Sequence, residues 1–512
     1  MITKLEASYK LLQEAIAKKW RTFDYVVGMA NKASTSLPHL VCQGVLPPFT
    51  HYYTASAGAL EGDWTSKLFA LETEYPDGPQ QGSVWSYQPY WDAITSLCRK
   101  ALRDRKKVLF IPDYAAHDAV DTLRVMPNVT VLSPPKQLKK ILENKASLPM
   151  FYAGMGLNYS IPLKAYVDAS RIDMTYEEAV TFCGSKRLVL QILQSAGGTR
   201  FTDGASSISF IKNEKNYTEA VEFHKGHGAL RIMPFVEGLP SNSGMVITPH
   251  GTYFRAGGPS IKPVGLKSCF CPAGAGPGND WESGKLSSGL LTENQYAHFV
   301  TSCTAIGTYA AKVLEFYGKC GLDWILSADN SIGLNNEINA RGQGPDDQCD
   351  TACHDAGIPS MSMLALAAGL GVEESLFPDP GVYNEHVLAM APGGYLKLFP
   401  PVFTETEKVM ITKDLNGYWF VEAGQLIPAT MRDFHDPHQL RVVVRSYGWG
   451  RPGQHYKLVG DGFPAGYVGL SSHNKSPLFV SGNGYNLSEL GELLASTFYR
   501  YAGLEQYRTV LA

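Results

Sequence analysis

No stretch of this 512-residue chain is apolar for long enough to span a bilayer, because Lys, Asp, Gly or Pro interrupts every candidate. No membrane partner is expected. An excess of one charge is also missing: 45 Lys and Arg stand against 48 Asp and Glu, a formal net charge of −3. A nucleic-acid partner usually needs a concentrated basic face, so none is expected either. Cysteine is sparse and odd in number, nine residues scattered from Cys42 to Cys353, as in a chain of reduced thiols rather than a disulfide framework. The opening segment sets Leu5, Tyr9, Leu12 and Ile16 at helical spacing with charges between them. It reads as an amphipathic surface helix, not a secretory signal, and a cytoplasmic location is expected.

Common catalytic signatures are missing too. Gly274-Ala-Gly-Pro-Gly278 is not a P-loop, because no Gly-Lys-Ser/Thr opens a helix after it. There is no Gly-x-Ser-x-Gly elbow. Cys349, Cys353 and His354 have no second ligand pair at structural-zinc spacing. Asp433-Phe-His-Asp-Pro-His438 reads as a loop with local Asx turns that could help bind substrate, and His224 and His227 read as surface residues.

What is present is α/β patterning on a chain too long for one core, so two to four domains or subdomains are expected. Residues 24–28, 107–112 and 128–132 are short apolar runs ended by turn formers, as buried parallel strands are, with a helix predicted over 137–145. A helix is predicted to start near Ser185 and to carry Lys186, Leu188, Leu190, Ile192 and Leu193. A Gly-rich turn over 197–207, a strand over 208–211 and a hairpin-like stretch over 244–254 follow. The Gly- and Pro-dense stretch 265–289 reads as a long loop and a candidate lid. Residues 292–317 predict a long helix, because Thr292 and Gln295 form a capping-box pattern ahead of an apolar stripe. A third region with strands near 408–412, 418–421 and 441–445 closes with a helix over 487–501.

The chemistry concentrates in residues 321–341, which read as two strands joined by a turn at 328–331. With the turn there, Asp323 lies roughly opposite Glu337. Side chains alternate faces along a strand, so Glu337, Asn339 and Arg341 share one face. Like charges across a hairpin are unfavourable unless neutralised. A hard cation such as Mg²⁺, whose oxygen ligands phosphate can complete, would neutralise them. Arg341 would then stabilise a transferring phosphoryl group.

The order of long helix, Asp323, hairpin and Glu337-Ile-Asn339-Ala-Arg341 resembles the metal-binding end of the ATP-grasp superfamily with its Glu-x-Asn-x-Arg signature. The resemblance covers about residues 180 to 345. It implies that Asp323, Glu337 and Asn339 hold Mg²⁺ on ATP, and that Lys186 binds phosphate. It also implies that residues 232–247 form the adenine hinge and the following strand, with Met233, Phe235 and Val236 at the adenine edge. Met233 stands where the hinge glutamate is usual and Pro240 where a ribose-binding glutamate is common; Glu237 is the substitute. The central phosphate-binding lysine has no clear counterpart. Arg200 is the cation nearest the loop containing Gly204, Ser206 and Ser207, whose N–H groups could cradle phosphates. The Gly238-Leu-Pro-Ser241 pattern is similar to the subgroup containing mycosporine-glycine synthetase and the pheganomycin-type peptide ligases.

The implied fold is α/β (α+β): an ATP-grasp fold with an N-terminal α/β pre-ATP-grasp domain (1–180), a nucleotide- and metal-binding region (181–358, lid about 185–262) and a C-terminal α+β extension (359–512) as a substrate cap. The implied activity is ATP-dependent, ADP-forming ligation of a small-molecule carboxylate to an amine through an acyl-phosphate. Arg341 and Arg255 would stabilise that intermediate. Amino acids or specialised metabolites would be the substrates, and a homodimer is possible on this resemblance. The alternative is a degenerate ATP-grasp module that binds nucleotide without turnover.

Overall fold

In a computed structural model the protein is described over residues 2–32, 36–56, 60, 63–74, 84–113, 117–145, 147–157, 166–168, 173–192, 208–225, 230–262, 278–280, 292–327, 333–390, 392–399, 408–410, 417–429, 441–447, 455–457, 467–472, 478 and 486–501. Counts and absences below refer to these described residues.

Five parallel strands build the N-terminal layer, in the spatial order Leu68–Ala70, His51–Ser56, Tyr25–Lys32, Val108–Pro112, Val129–Val131. The expected strands at 24–28, 107–112 and 128–132 are all here. Val108–Pro112 is buried at every position, as a central parallel strand covered on both faces must be. The helix Ile2–Trp20 lays Leu5, Tyr9, Leu12, Ile16 and Trp20 into the main core, and Lys136–Glu143 accounts for the helix expected over 137–145.

A small antiparallel sheet follows, in the order Tyr166–Asp168, Leu230–Pro234, Leu188–Ile192, Ile208–Ile211. The helices Tyr176–Cys183 and Glu214–His224 pack their apolar residues against it. This corrects the helix expected from Ser185. The helix comes earlier, opened by a Thr175–Glu178 capping box and ended by Gly184 at φ 65°, and the chain then enters a fully buried strand. His224, expected at the surface, is buried with its ring against the Ser209 hydroxyl at 2.9 Å. His227 lies outside the described residues.

The third layer is an eleven-stranded sheet. Its order is Gly333–Asn339, Gly318–Ser327, Gly238–Thr248, Ser260–Ile261, Gly278–Asp280, Gly394–Leu398, Tyr467–Ser472, Arg441–Tyr447, Gly417–Glu422, Gln425–Ala429, with Gly251–Phe254 paired beside Gly238–Thr248. Residues 238–262, expected in the lid, therefore belong to this sheet. So does Gly278–Asp280, inside the stretch expected as a loop. The C-terminal strands continue the same sheet rather than forming one of their own, except that Lys408–Met410 pairs with His455–Lys457 separately. The helix Glu293–Leu314 has both halves of its capping box in place and packs Phe299 and Ile306 into the core beneath the sheet. Among the described residues no helix is long and apolar enough to cross a membrane.

Candidate active site

The site grows from the antiparallel pairing of Gly318–Ser327 with Gly238–Thr248 on one side and Gly333–Asn339 on the other. Leu322 and Trp324 point into the core, where Trp324 meets Phe299 at 5.6 Å between ring centroids and donates its indole N–H to the Ser243 hydroxyl at 2.7 Å. Alternation sends Asp323 to the opposite, partly open face. There it is in register with Asn242 and with Glu337, and the ladder slips between Asp323 and Trp324. The expected Asp323–Glu337 opposition is thus present, although the turn at 328–331 lies outside the described residues.

Asp323 is the hub. Its Oδ1 accepts from Asn242 Nδ2 at 2.8 Å and from Lys262 Nζ at 3.0 Å, and its Oδ2 accepts from Asn339 Nδ2 at 3.2 Å. Burial pushes its pKa up, but the Lys262 charge, the Asn242 and Lys262 hydrogen bonds and Arg341 outweigh it and hold the carboxyl below its usual range. Glu337 takes the ammonium of Lys145 at 3.2 Å. Arg341 donates to Asn339 Oδ1 at 3.0 Å and lies 3.8 Å from Glu143, which also accepts the Ala340 N–H at 3.1 Å. Burial raises the Glu143 pKa, against the pull of Arg341, Lys139 and that N–H.

Asp323, Glu337, Asn339 and Arg341 therefore converge as expected. Arg255 does not join them. Its side chain is fully buried, donating to Asn242 Oδ1 at 2.7 Å, the Asn242 carbonyl at 3.0 Å, Gln343 at 3.2 Å and Asp346 at 3.3 Å. It braces Asn242 from behind and is one carboxamide removed from Asp323, so the expectation of direct contact with a reacting group is corrected to support. Lys186 is exposed in the short link between Gly184 and the strand Leu188–Ile192, not at a helix start. Met233 is buried opposite Val189. Phe235, Val236 and Glu237 link the small sheet to the large one. Arg187 closes over that link, its guanidinium 4.1 Å from the Phe235 ring centroid and paired with the Glu237 carboxylate. Arg200, Gly204, Ser206, Ser207 and the 433–438 loop lie outside the described residues.

Sequence reasoning missed four groups. Lys262 and Lys145 reach the carboxylates from distant segments, and Asn242 occupies a strand position with no motif around it. Arg231 stands opposite Gln191 on the floor of the small sheet, buried, its guanidinium donating to the Gln191 amide oxygen at 2.5 Å. Burial lowers its pKa to about 10, while the Glu337 charge pulls the other way.

No group of three or more His, Cys, Asp and Glu side chains among the described residues could hold a metal alone. The donors here are two carboxylates and an amide, a set that suits a hard cation completing its shell with phosphate oxygens. Two ammonium groups already sit on the carboxylates, so the place attracts positive charge. A half-turn of the Asn339 carboxamide would exchange its nitrogen for its oxygen on the Asp323 side.

No protein-family model matches the sequence, and no curated protein is a significant match to it. Solved structures do match in shape. A biotin carboxylase–βγ-ATP complex from Campylobacter jejuni superposes with a TM-score of 0.54 at 12% identity, over 88% of this chain and 87% of that one. The biotin carboxylase domain of the Hydrogenobacter thermophilus 2-oxoglutarate carboxylase, a dimer with MgADP, ADP and bicarbonate, follows at 0.52, 13%, 88% and 86%. The ADP complex of N5-carboxyaminoimidazole ribonucleotide synthetase gives 0.50, 9%, 95% and 98%. The fold is ATP-grasp. Residues 235–237 join the small antiparallel sheet to the large sheet that carries the Asp323/Glu337 hairpin.

Proposed function

We propose that this protein is an ATP-dependent, ADP-forming carboxylate–amine ligase, with Mg-ATP bound between the lid and the Asp323/Glu337 hairpin. The observation that carries the reading is the register of Asp323 with Glu337, each carboxylate already neutralised by a lysine. Asp323, Glu337 and the Asn339 oxygen would hold Mg²⁺, which supplies charge neutralisation on the phosphates. Lys262 and Lys145 are placed to turn toward phosphate oxygens when a cation takes their positions. Arg231 takes the role left open by the missing lysine, because it is a buried cation on the strand beside Leu188–Ile192. Backbone groups of Met233, Phe235 and Val236 meet the adenine edge, and Glu237 takes the ribose once it parts from Arg187.

A substrate carboxylate oxygen then attacks the γ-phosphorus, the bond to the β-phosphate oxygen breaks, and ADP leaves. Arg341 balances the charge of the resulting acyl-phosphate. An amine attacks its acyl carbon, loses a proton and expels phosphate, leaving an amide. The protein's contributions are alignment, charge neutralisation and exclusion of water. Amino acids or small specialised metabolites fit this chemistry as substrates.

The test is ADP and phosphate release from Mg-ATP with pooled carboxylic acids and amines, with mass spectrometry of the product. We expect ADP only when both partners are present, and a product lighter by one water than their sum. Glu337→Ala should lower turnover at least about a hundredfold and remove the Mg²⁺ dependence of ADP binding. AMP and pyrophosphate would overturn the mechanism, and tight ATP binding without turnover on any pool would favour the binding-only alternative.

A further inference from the structure

The strand Gly333–Asn339 makes its last pairing at Asn339, opposite Gly321. Beyond that pair the chain bends away, and Arg341 sits on backbone that the sheet no longer holds. The Arg341 N–H turns back onto the Asn339 carbonyl at 2.7 Å. The Ala340 N–H leaves the large sheet altogether and goes to Glu143 Oε1 at 3.1 Å. That same oxygen lies 3.8 Å from Arg341 Nε. One carboxylate thus holds both the main chain before Arg341 and the Nε edge of its guanidinium.

Glu143 belongs to the N-terminal layer. It is the last residue of the helix Lys136–Glu143, which Leu142 anchors in the main core. Two residues further on, Lys145 reaches Glu337 at 3.2 Å, so the end of this helix meets the hairpin strand twice. The Glu143 side chain is 26% exposed, and partial burial screens its pairing with Arg341 less than open water would. Arg341 is 36% exposed and carries a long side chain with much rotamer freedom to lose. On its strand side it donates from Nη2 to Asn339 Oδ1 at 3.0 Å. Its guanidinium is therefore gripped by two groups that come from different layers of the fold.

We propose that Glu143 is a positioning residue: it orients the Arg341 guanidinium at the end of the hairpin strand and so makes the N-terminal layer part of the reacting centre. What Arg341 does once oriented rests on the ligase reading; the orientation itself does not. A displacement of about 1 Å at a reacting centre can cost about a hundredfold in rate, and losing one of two anchors should cost about tenfold.

The experiment uses Glu143→Gln in the full chain, which keeps the shape and the acceptor for the Ala340 N–H but removes the charge facing Arg341. We expect kcat for ADP release to fall about tenfold with the KM for ATP kept within about twofold, because the change is felt in the reaction and not in nucleotide binding. In an Arg341→Gln chain no guanidinium is left to orient, so adding Glu143→Gln should change kcat by less than about twofold. An equal fall in both backgrounds would mean that Glu143 supports the fold alone, and would overturn the proposal. The orientation is read without turnover from the Arg341 Nε–H signal of nitrogen-15-labelled protein, assigned by its loss in Arg341→Gln. Glu143→Gln should shift and broaden that signal. An unmoved signal, or an unchanged kcat, would also overturn the proposal. A wild-type chain that turns over no substrate pool, with the signal still displaced by Glu143→Gln, would instead count against the ligase reading and leave the positioning standing.

Discussion

Replacing Arg255 by Met separates a supporting residue from a reacting one. The Arg255 guanidinium is enclosed by the Asn242 side chain and carbonyl, Gln343, Ser260 and the buried Asp346 carboxylate. Methionine fills a similar volume but leaves Asp346 as a buried charge that has lost its cation, a loss of about 3–5 kcal/mol when one partner of such a pair is removed. In a cooperative unit of about 150–250 residues each kcal/mol moves the midpoint by about 2–4 °C. The expected fall in thermal midpoint is therefore roughly 6–20 °C, read by calorimetry or circular dichroism. Adding Asp346→Asn should recover part of it, with a coupling of about 1–3 kcal/mol. Turnover measured below the midpoint should fall only modestly, because Arg255 reaches Asp323 through Asn242. A midpoint unchanged within about 2 °C, together with abolished turnover and intact nucleotide binding, would refute this reasoning and return Arg255 to the reacting centre.

Lys139 makes a second, pH-dependent case. Burial holds its pKa at about 8 in the folded chain against an ordinary 10.5, with Glu143, Asp113 and Asp121 pulling it up and Arg124 pulling it down. Below pH 8 both states are protonated and the folded state bears the whole cost, about 3 kcal/mol at 1.36 kcal/mol per unit. Stability should rise as pH climbs from about 8 toward 10.5. Lys139→Met should be the more stable protein at pH 7, with an advantage that shrinks by pH 10 in urea midpoints; a gap constant with pH would contradict the burial argument. A third test concerns Gly307 on the helix Glu293–Leu314, where a Cβ would stand 2.9 Å from the Thr252 Cβ and 2.7 Å from its Cγ2. Alanine should gain about 1 kcal/mol of helix propensity yet destabilise on balance by about 1–2 kcal/mol through overpacking. Thr252→Ala in the same chain should recover only part of the loss, because its Cβ stays 2.9 Å away, and a stabilised Gly307→Ala protein would show that the helix can shift.

Much of the fold was legible where local pattern and tertiary role agree. The runs at 107–112 and 128–132 are apolar throughout because their strands are covered on both faces, and Thr292 with Gln295 marks a helix start that packing then keeps. Asp323 and Glu337 could be paired roughly because the turn limits the register, and the one-residue slip between Asp323 and Trp324 brings them opposite each other. Residues 188–192 misled for a physical reason: five consecutive buried positions satisfy a helical and a strand pattern alike, and only Gly184 at positive φ decides between them. Gly278–Asp280 carries no strand-forming side chains, so its pairing is imposed by neighbours. Lys262 and Asp323 are separated by 61 positions, and nothing local to either residue announces the contact. Arg231, the cation proposed for the missing lysine's role, stands on the strand beside Leu188–Ile192, where no local motif marks it.

The two halves of the large sheet are joined through Gly278–Asp280, whose ladder to Ser260–Ile261 consists of the single pair Ile261 and Asp280. A seam of one residue pair opens at far lower cost than the long ladder between Gly238–Thr248 and Gly318–Ser327, so amide exchange at Ile261 and Asp280 should outpace that of the flanking strands. Lys262 is the next residue along. Its own N–H donates to the Pro240 carbonyl at 2.8 Å, so it is tied to the long central strand and not to the seam. An opening between Ile261 and Asp280 would therefore part the two halves of the sheet while the Lys262 ammonium stays on the Asp323 carboxylate.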